Sequence, residues 1–134
     1  MKKILIVSGG LSKEREISLQ TGNQVSIELK KKYITKICEP HDLLKICKTF
    51  KPKVIFNALH GQFGEDGYIQ TLMDTLRIPY THSDFNASAI AMNKEIAKKI
   101  FLRNNIITPK YLIYNFKNKP IDITSIKKYL AFQL

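Results

Sequence analysis

The chain has 134 residues, which is the length of one ordinary domain with enough apolar side chains to bury a core. Its hydrophobic fraction of 44% and charged fraction of 25% are those of a soluble globular protein. The net charge of +11 comes from lysines spread along the chain, with no basic stripe interleaved with aromatic residues, so we expect neither nucleic acid nor membrane as a partner. No apolar run approaches the ~20 residues of a membrane helix, and no signal-peptide cleavage pattern follows Met1, which predicts a cytoplasmic protein.

Two cysteines, Cys38 and Cys47, match neither the spacing of a zinc site nor that of a redox pair. One ends a predicted strand and the other lies on a predicted helix. We therefore expect small buried thiols in a reducing compartment, and no metal site.

Apolar patterns of strand and helix period alternate along the chain. Short β-branched and aliphatic runs predict strands at residues 3–7, 34–38, 53–59 and 78–81, with a further strand at 109–114. Helical spacing and capping residues predict helices that begin near Ser12 or as late as Glu16, at Asp42 and at Tyr68, then helices over 86–92 and 95–104 and a last turn from Thr124. A polar loop is expected at 117–120, and the apolar run at 129–134 indicates a sequence cut within an element.

The order of these elements predicts an α/β fold, an open and mostly parallel sheet with helices on both faces. In the first helix, Ile17, Thr21, Val25 and Leu29 recur every fourth residue, so we expect this stripe to face the core. Ligands of such sheets bind at the carboxyl ends of the strands, and two loops there carry the polar residues of the chain that are most typical of a site.

The first loop follows the first strand and contains Gly9-Gly10 and then Glu14, Arg15 and Glu16. Successive glycines before a helix can bind an anion through backbone N–H groups, but the same pair also forms a tight turn that binds nothing. A carboxylate here can hold an ammonium group, while the arginine can pair with a neighbouring acid and fix the loop. The same charges would equally suit a solvated surface.

The second loop follows the third strand and places His60 before Gly61. Histidine at this edge can donate to a phosphate or carboxylate, or act as an acid or base, although a single histidine is more often structural. Gly64 and Gly67 predict special backbone angles, and the acidic pair at 65–66 is expected to cap the next helix.

Together these stretches resemble the D-alanine–D-alanine ligases, which are ATP-grasp enzymes of peptidoglycan synthesis. The resemblance rests on residues 9–19 (GGLSKEREISL), 58–61 (ALHG) with 64–67 (GEDG), and 87–89 (ASA) with 92–94 (MNK). Residues 106–109 (IITP) also look like the family's approach to its central domain. The resemblance implies a Rossmann-like N-terminal domain over 1–85 that binds substrate, followed over 86–134 by the start of the ATP-grasp region.

By this resemblance, Glu14 is the acid that binds the amino group of the first D-alanine, and Ile17 lies beside the methyl group of that substrate. His60 resembles the family histidine near the acyl-phosphate intermediate, and Lys94, unremarkable by itself, matches a lysine that contacts ATP phosphate. The implied reaction phosphorylates one D-alanine carboxylate with ATP, with Mg²⁺ or Mn²⁺ as the metal, before the amine of a second D-alanine attacks it. The family is typically homodimeric.

The sequence departs from the family in two places and in length. Asn93 stands where the family usually has Asp, and His82-Ser83 stand where it usually has Gly-Ser. Most of the ATP-binding region and the metal-binding C-terminal domain would follow Leu134, so we expect this chain alone to bind neither cofactor fully and to have no ligase activity. An alternative is a catalytically inactive α/β module that binds a partner. The residues that select D-alanine or D-lactate as the second substrate would also lie beyond Leu134.

Overall fold

A computed structural model of the protein describes residues 1–113, 123, 124 and 126. Its strands are β1 (Lys3–Val7), β2 (Ile34–Cys38) and β3 (Val54–Asn57), and its helices are α1 (Arg15–Leu29), α2 (Leu43–Phe50), α3 (Tyr68–Thr75), α4 (Phe85–Met92) and α5 (Lys94–Arg103). The backbone is also helical at Ile123, Thr124 and Ile126, where a turn was predicted. The polar loop at 117–120 and the apolar run at 129–134 lie outside the described residues.

The three strands form a parallel sheet in the order β2-β1-β3. Leu5 and Val7 belong to a core cluster with side chains of α2 and α3, whereas Ile6 and Ser8 lie against α1 at Gly22. Successive side chains of a strand point to opposite faces of a sheet, so α1 covers one face while α2 and α3 cover the other. The predicted α/β fold with a parallel sheet and helices on both faces is confirmed.

The face of α1 that packs on the sheet is not the predicted one. Ile17 is 55% exposed, and the buried residues of the helix are Ser18, Gly22 and Ser26. A Cβ atom on Gly22 would lie 2.7 Å from the Cβ and the Oγ of Ser8, so the helix lies closer to the strand than a branched side chain allows. Thr21, Val25 and Leu29 flank this small-residue stripe and are half-buried.

The start of α2 also differs from the prediction. Asp42 precedes the helix, but its side chain makes no capping hydrogen bond. A 3₁₀ turn over Pro40–Asp42 leads into α2, and Asp42 already has helical backbone angles (φ −92°, ψ −4°). A capping side chain requires the extended backbone of an ordinary N-cap, which this turn removes.

The fourth predicted strand, at 78–81, is reduced to a single bridge between Ile55 and Tyr80. Pro79 has no N–H to donate, and the backbone N–H of Asn57 bonds to the Thr81 hydroxyl at 3.0 Å, where an extended ladder would use a backbone carbonyl. The next residue, His82, has a φ of +79° that turns the chain away. Of the strand predicted at 109–114, residues 109–113 are irregular and Tyr114 lies outside the described residues.

The core on the α2 and α3 side contains Leu5, Val7, Cys38, Leu43, Cys47, Ile55, Leu59, Ile69 and Met73. Both cysteines are therefore buried and unpaired, as predicted. Burial raises the pKa of the Cys38 thiol to about 12 and also raises that of Cys47. No helix in the described part of the chain is long and apolar enough to span a bilayer.

Candidate functional site

The loops that follow the three strands meet at the carboxyl edge of the sheet, where the sequence placed a site. A cavity of about 340 Å³ opens between them. Its polar lining comes from Gly9, Gly10, Ser12, Glu39, His41, His60 and Gln62, and its apolar lining from Leu11, Pro40, Leu59, Phe63, Tyr68, Ile69 and Leu72.

The Gly9-Gly10 turn after β1 is satisfied by the protein itself. Gly9 and Gly10 have φ angles of +90° and +80°, a conformation that favours glycine. The N–H of Gly9 donates to Ser18 Oγ at 2.8 Å, and the N–H of Gly10 donates to Glu39 Oε2 at 3.3 Å. The structure therefore supports the tight-turn interpretation of this pair over the anion-binding one.

Arg15 fixes the same loop through a residue that the sequence analysis did not single out. Its guanidinium donates to both carboxylate oxygens of Glu39, at 3.1 Å and 2.6 Å. These hydrogen bonds hold the pKa of the Glu39 carboxyl below its ordinary value, against a smaller opposing effect of desolvation. The predicted arginine–acid pair is real, and its acid lies at the end of β2 and not in the 14–16 cluster.

Glu14 precedes the first residue of α1, and its carboxylate lies over the second loop. A Cβ atom on Gly61 would lie 2.7 Å from Glu14 Oε2, so the absence of a side chain at position 61 allows the carboxylate to occupy this place. Within the described part of the chain, no donor forms a hydrogen bond or ion pair with this carboxylate. Glu14 and the His60-Gly61 segment thus meet, although they lie in different loops.

His60 has a polar neighbour at each ring nitrogen. Its Nε2 lies 3.3 Å from Thr21 Oγ1, and its Nδ1 lies 3.8 Å from Glu65 Oε1. The side chain is 33% exposed, which leaves part of the ring open to a ligand. The Glu65 carboxylate is itself fixed, because its Oε2 accepts the N–H of Gly61 at 2.8 Å.

Two buried amide side chains hold the rest of this loop. Asn57 and Gln70 both donate to the carbonyl of Gly64, at 3.0 Å and 2.9 Å, and Asn57 also accepts the N–H of Leu59. Sequence reasoning missed both residues. The sequence contains a signal for each residue: one amide side chain ends an apolar strand, and the other lies among the apolar residues of a helix.

Of the acidic pair at 65–66, only Asp66 bonds to the start of α3 as predicted, whereas Glu65 accepts the N–H of Gly61 instead. The carboxylate of Asp66 accepts the N–H of Tyr68, the first residue of α3, and the N–H of Phe63. Gly67 has the predicted positive φ, at +94°, whereas Gly64 does not have a positive φ.

Ile17 and Lys94 stand apart from this cluster to different degrees. Ile17 lies three residues after Glu14 on α1, a spacing that places both on one side of the helix. Lys94 begins α5 and is exposed, and, like Glu14 and Ile17, it lines neither the cavity above nor the one described next. The structure brings Glu14 to the loop of His60, places Ile17 one turn away, and shows no contact of Lys94 with them in the described region.

A second cavity of about 180 Å³ lies between the β3 end, α3 and α4. Gln70 and His82 contribute to its lining. Gln70 is 1% exposed, and its Oε1 has no hydrogen-bond partner among the described residues.

Comparison with known proteins identifies the family. A family model described as the D-ala D-ala ligase N-terminus matches residues 36–83. The D-alanine–D-alanine ligase of Pelagibacter ubique is 60% identical over an alignment of 134 positions, which covers 98% of this chain and 44% of that protein. By sequence and fold, this chain belongs with the N-terminal part of the D-alanine–D-alanine ligase family.

Other relatives point to the same family. The D-alanine–D-alanine ligase of Zymomonas mobilis is 46% identical over 111 residues, which cover 81% of this chain and 35% of the relative. The crystal structure of the Bacillus anthracis D-alanine–D-alanine ligase complexed with ATP superimposes with a TM-score of 0.79 and 32% identity, over 94% of this chain and 44% of that one. The chain thus spans less than half the length of these family members.

The two departures from the family pattern have visible structural consequences. Asn93 caps α5, since its Oδ1 accepts the N–H groups of Glu95 and Ile96, and an Asp would offer the same acceptor. His82 has a φ of +79°, a conformation that favours the glycine usual in the family. The first substitution preserves its local structure, and the second introduces backbone strain.

Proposed function

We propose that this chain forms the first substrate site of an ATP-dependent D-alanine–D-alanine ligase of the cytoplasm that acts in peptidoglycan synthesis. The observation that carries the proposal is the position of the Glu14 carboxylate over Gly61, next to His60. An acceptor-only carboxylate without a protein partner among the described residues suits the ammonium group of an amino acid.

The proposed roles are those that the family resemblance implies for these positions. Glu14 binds the ammonium group of the first D-alanine, and Ile17, which is 55% exposed, offers an apolar surface to its methyl group. His60 donates to the carboxylate as it becomes an acyl phosphate, and Lys94 contacts ATP phosphate. Residues 1–85 form the substrate-binding domain, and residues 86–134 begin the ATP-grasp region.

ATP and Mg²⁺ (or Mn²⁺) belong to the proposed reaction, in which ATP supplies the phosphoryl group that activates the substrate carboxylate. In the described part of the chain, no group of three or more His, Cys, Asp or Glu side chains has metal-binding geometry. Lys94 is the one residue that we assign to the nucleotide. The metal and most of the nucleotide would therefore be held by residues outside the described ones, and a homodimer is the expected assembly.

A hybrid enzyme tests the proposal. This chain replaces the matching N-terminal part of the Pelagibacter ubique relative, and ADP release is measured against D-alanine concentration. We expect D-alanine-dependent turnover, and we expect Glu14→Gln to lower kcat/KM for D-alanine about tenfold to a hundredfold, which corresponds to the roughly 1.5–3 kcal/mol of a hydrogen bond to a charged group.

Glu16→Gln is the matched control, because Glu16 is also exposed and lies two residues further along, in the first turn of α1. A folded hybrid without D-alanine-dependent ADP release, beside an active parent enzyme, would contradict the proposal and favour a partner-binding module. Equal activities of the Glu14→Gln and Glu16→Gln hybrids would remove Glu14 from the site. The 134-residue chain alone is expected to release no ADP in response to D-alanine.

A further inference from the structure

The surroundings of His60 distinguish its two ring nitrogens. Nδ1 faces the Glu65 carboxylate at 3.8 Å, and Nε2 faces the Thr21 hydroxyl at 3.3 Å. The carboxylate cannot turn away freely, since its other oxygen accepts the N–H of Gly61 at 2.8 Å. Thr21 lies in the middle of α1 and is half-buried.

These neighbours differ in what they can offer a neutral imidazole. An ionised carboxylate only accepts hydrogen bonds, so the nitrogen that faces it is favoured when it carries the proton. The distance of 3.8 Å is too long for a direct hydrogen bond, but attraction between the N–H dipole and the carboxylate charge acts over this range. A hydroxyl adapts to either role and can donate to the unprotonated nitrogen.

The opposite arrangement is unfavourable. A proton on Nε2 could be donated to Thr21, but the Nδ1 lone pair would then face the negative charge of Glu65. Among the described residues, no other side chain lies within hydrogen-bond or ion-pair distance of the ring to offset that repulsion.

We propose that Glu65 and Thr21 are positioning residues for His60: Glu65 keeps the ring proton on Nδ1, and Thr21 donates to Nε2. The orientation and tautomer of the ring are then fixed before any ligand binds. The consequence for catalysis rests on the proposed function, whereas the tautomer itself does not. An anionic ligand at Nε2 would require a second ring proton, and Glu65 would stabilise the resulting imidazolium.

The tautomer can be measured on the whole 134-residue chain without any ligand. Long-range ¹H–¹⁵N correlation spectra of the ¹⁵N-labelled protein, recorded near pH 8.5, about two units above the ordinary histidine pKa of ~6.5, distinguish protonated from unprotonated ring nitrogens. We expect His60 to show a protonated Nδ1 and an unprotonated Nε2. His41 and His82 provide comparison signals in the same spectrum.

Glu65→Gln gives a sharper test. The amide oxygen can still accept the N–H of Gly61, which places the amide NH₂ opposite Nδ1. A donor there favours an unprotonated Nδ1, so the predominant tautomer should reverse to Nε2–H. Glu28→Gln, which removes an exposed carboxylate paired with Lys31, should leave the His60 signals unchanged.

The proposal is overturned if His60 in the unsubstituted chain is the Nε2–H tautomer, or if Glu65→Gln leaves the tautomer unchanged while the backbone spectrum stays native. The first result requires no variant, so a variant that fails to fold does not prevent the test. In the hybrid enzyme, Glu65→Gln should lower kcat more than it raises KM. An inactive hybrid would count against the proposed function and leave the tautomer result standing.

Discussion

Ser18 joins two of the loops that form the carboxyl edge of the sheet. Its hydroxyl accepts the N–H of Gly9 and donates to the carbonyl of Ala58, both at 2.8 Å, and the residue is fully buried. One side chain on α1 therefore ties the loop after β1 to the loop after β3. The relative positions of Glu14 and His60 depend on these two hydrogen bonds.

Ser18→Ala should lower the free energy of unfolding by about 2 kcal/mol or more, because it leaves a buried N–H and a buried carbonyl unpaired at ~1–3 kcal/mol each. Urea unfolding followed by circular dichroism measures the change. Ser26→Ala is the control, since Ser26 is equally buried on α1 but has a single hydroxyl–hydroxyl contact of 3.3 Å with Thr35. Equal losses in the two variants would contradict the special role of Ser18.

Glu39 is the second residue on which the loop after β1 depends, and its contribution should vary with pH. Its pKa is lowered in the folded protein mainly by the hydrogen bonds from Arg15. A lowered folded-state pKa adds stability above the unfolded value of about 4.3, and this stability is lost as pH falls through the folded-state value. Both side chains are partly exposed, at 42% and 32%, so solvent screening limits the gain.

Glu39→Gln should therefore destabilise the chain at neutral pH by roughly 1 kcal/mol or less. The difference from the unsubstituted chain should shrink as pH falls below the unfolded value of about 4.3, and it should be lost once pH falls through the lowered folded-state pKa of Glu39. Unfolding free energies at a series of pH values provide the measurement. A difference that persists unchanged to about pH 2 would show that the charge of Glu39 is not the cause.

At the scale of elements, the contact between α1 and β1 is made by small side chains. The backbones approach closely at Gly22, whose missing Cβ leaves room for Ser8. Large apolar residues of the helix lie beside or away from this contact, and Ile27 is 62% exposed. The predicted stripe therefore pointed to one edge of the contact, where Thr21, Val25 and Leu29 are half-buried, and not to its centre.

Gly22→Ala should lower the free energy of unfolding by about 1–3 kcal/mol, because the added methyl group would lie 2.7 Å from Ser8 and must force the helix away. The higher helix propensity of alanine works against this loss by up to ~1 kcal/mol. Asn23→Ala, at the next and exposed position, gives the propensity effect alone and should stabilise slightly. Stabilisation by both substitutions would contradict the close packing.

At the scale of the whole molecule, the core on the α2 and α3 side contains both thiols. Cys38 and Cys47 are 8% and 6% exposed. Burial raises the pKa of Cys38 to about 12 and also raises that of Cys47, so neither is a reactive thiolate at neutral pH. The rate at which a reagent modifies these thiols should therefore measure the opening of the core.

A disulfide reagent at about pH 8 should therefore modify both thiols only at the rate at which the core opens, and immediately in denaturant. Unfolded thiols ionise near their ordinary pKa of about 8.5, whereas the folded ones stay neutral, so the free energy of unfolding should fall as pH rises through about 8.5. The colour that the reagent releases measures how many thiols have reacted, and this number is compared with the circular dichroism signal along a urea series. Rapid reaction of either thiol in the native protein would place it outside the core.

Much of the fold followed from local patterns. The runs at Lys3–Val7 and Ile34–Cys38 were placed at their observed bounds, the start of α3 at Tyr68, and α4 and α5 within one residue of theirs. These elements have strong apolar periodicity or clear capping residues, which act over a few neighbours in sequence. The strand at 78–81 is reduced to one bridge partly because Pro79 has no N–H, which is a local signal, and partly because the Thr81 hydroxyl accepts the N–H of Asn57, which only the tertiary structure shows.

The candidate site divides along the same line. The sequence alone determined which side chains follow the carboxyl ends of the strands, among them Glu14 and His60. The position of each strand along the chain and the composition of the loop after it are local properties of the sequence. Only the tertiary structure decided what surrounds them: Glu39 opposite Arg15, Glu14 over Gly61, and Glu65 and Thr21 on either side of the His60 ring. These contacts join residues from different elements, so they depend on how closely helices and strands approach, and small residues such as Gly22 set that distance.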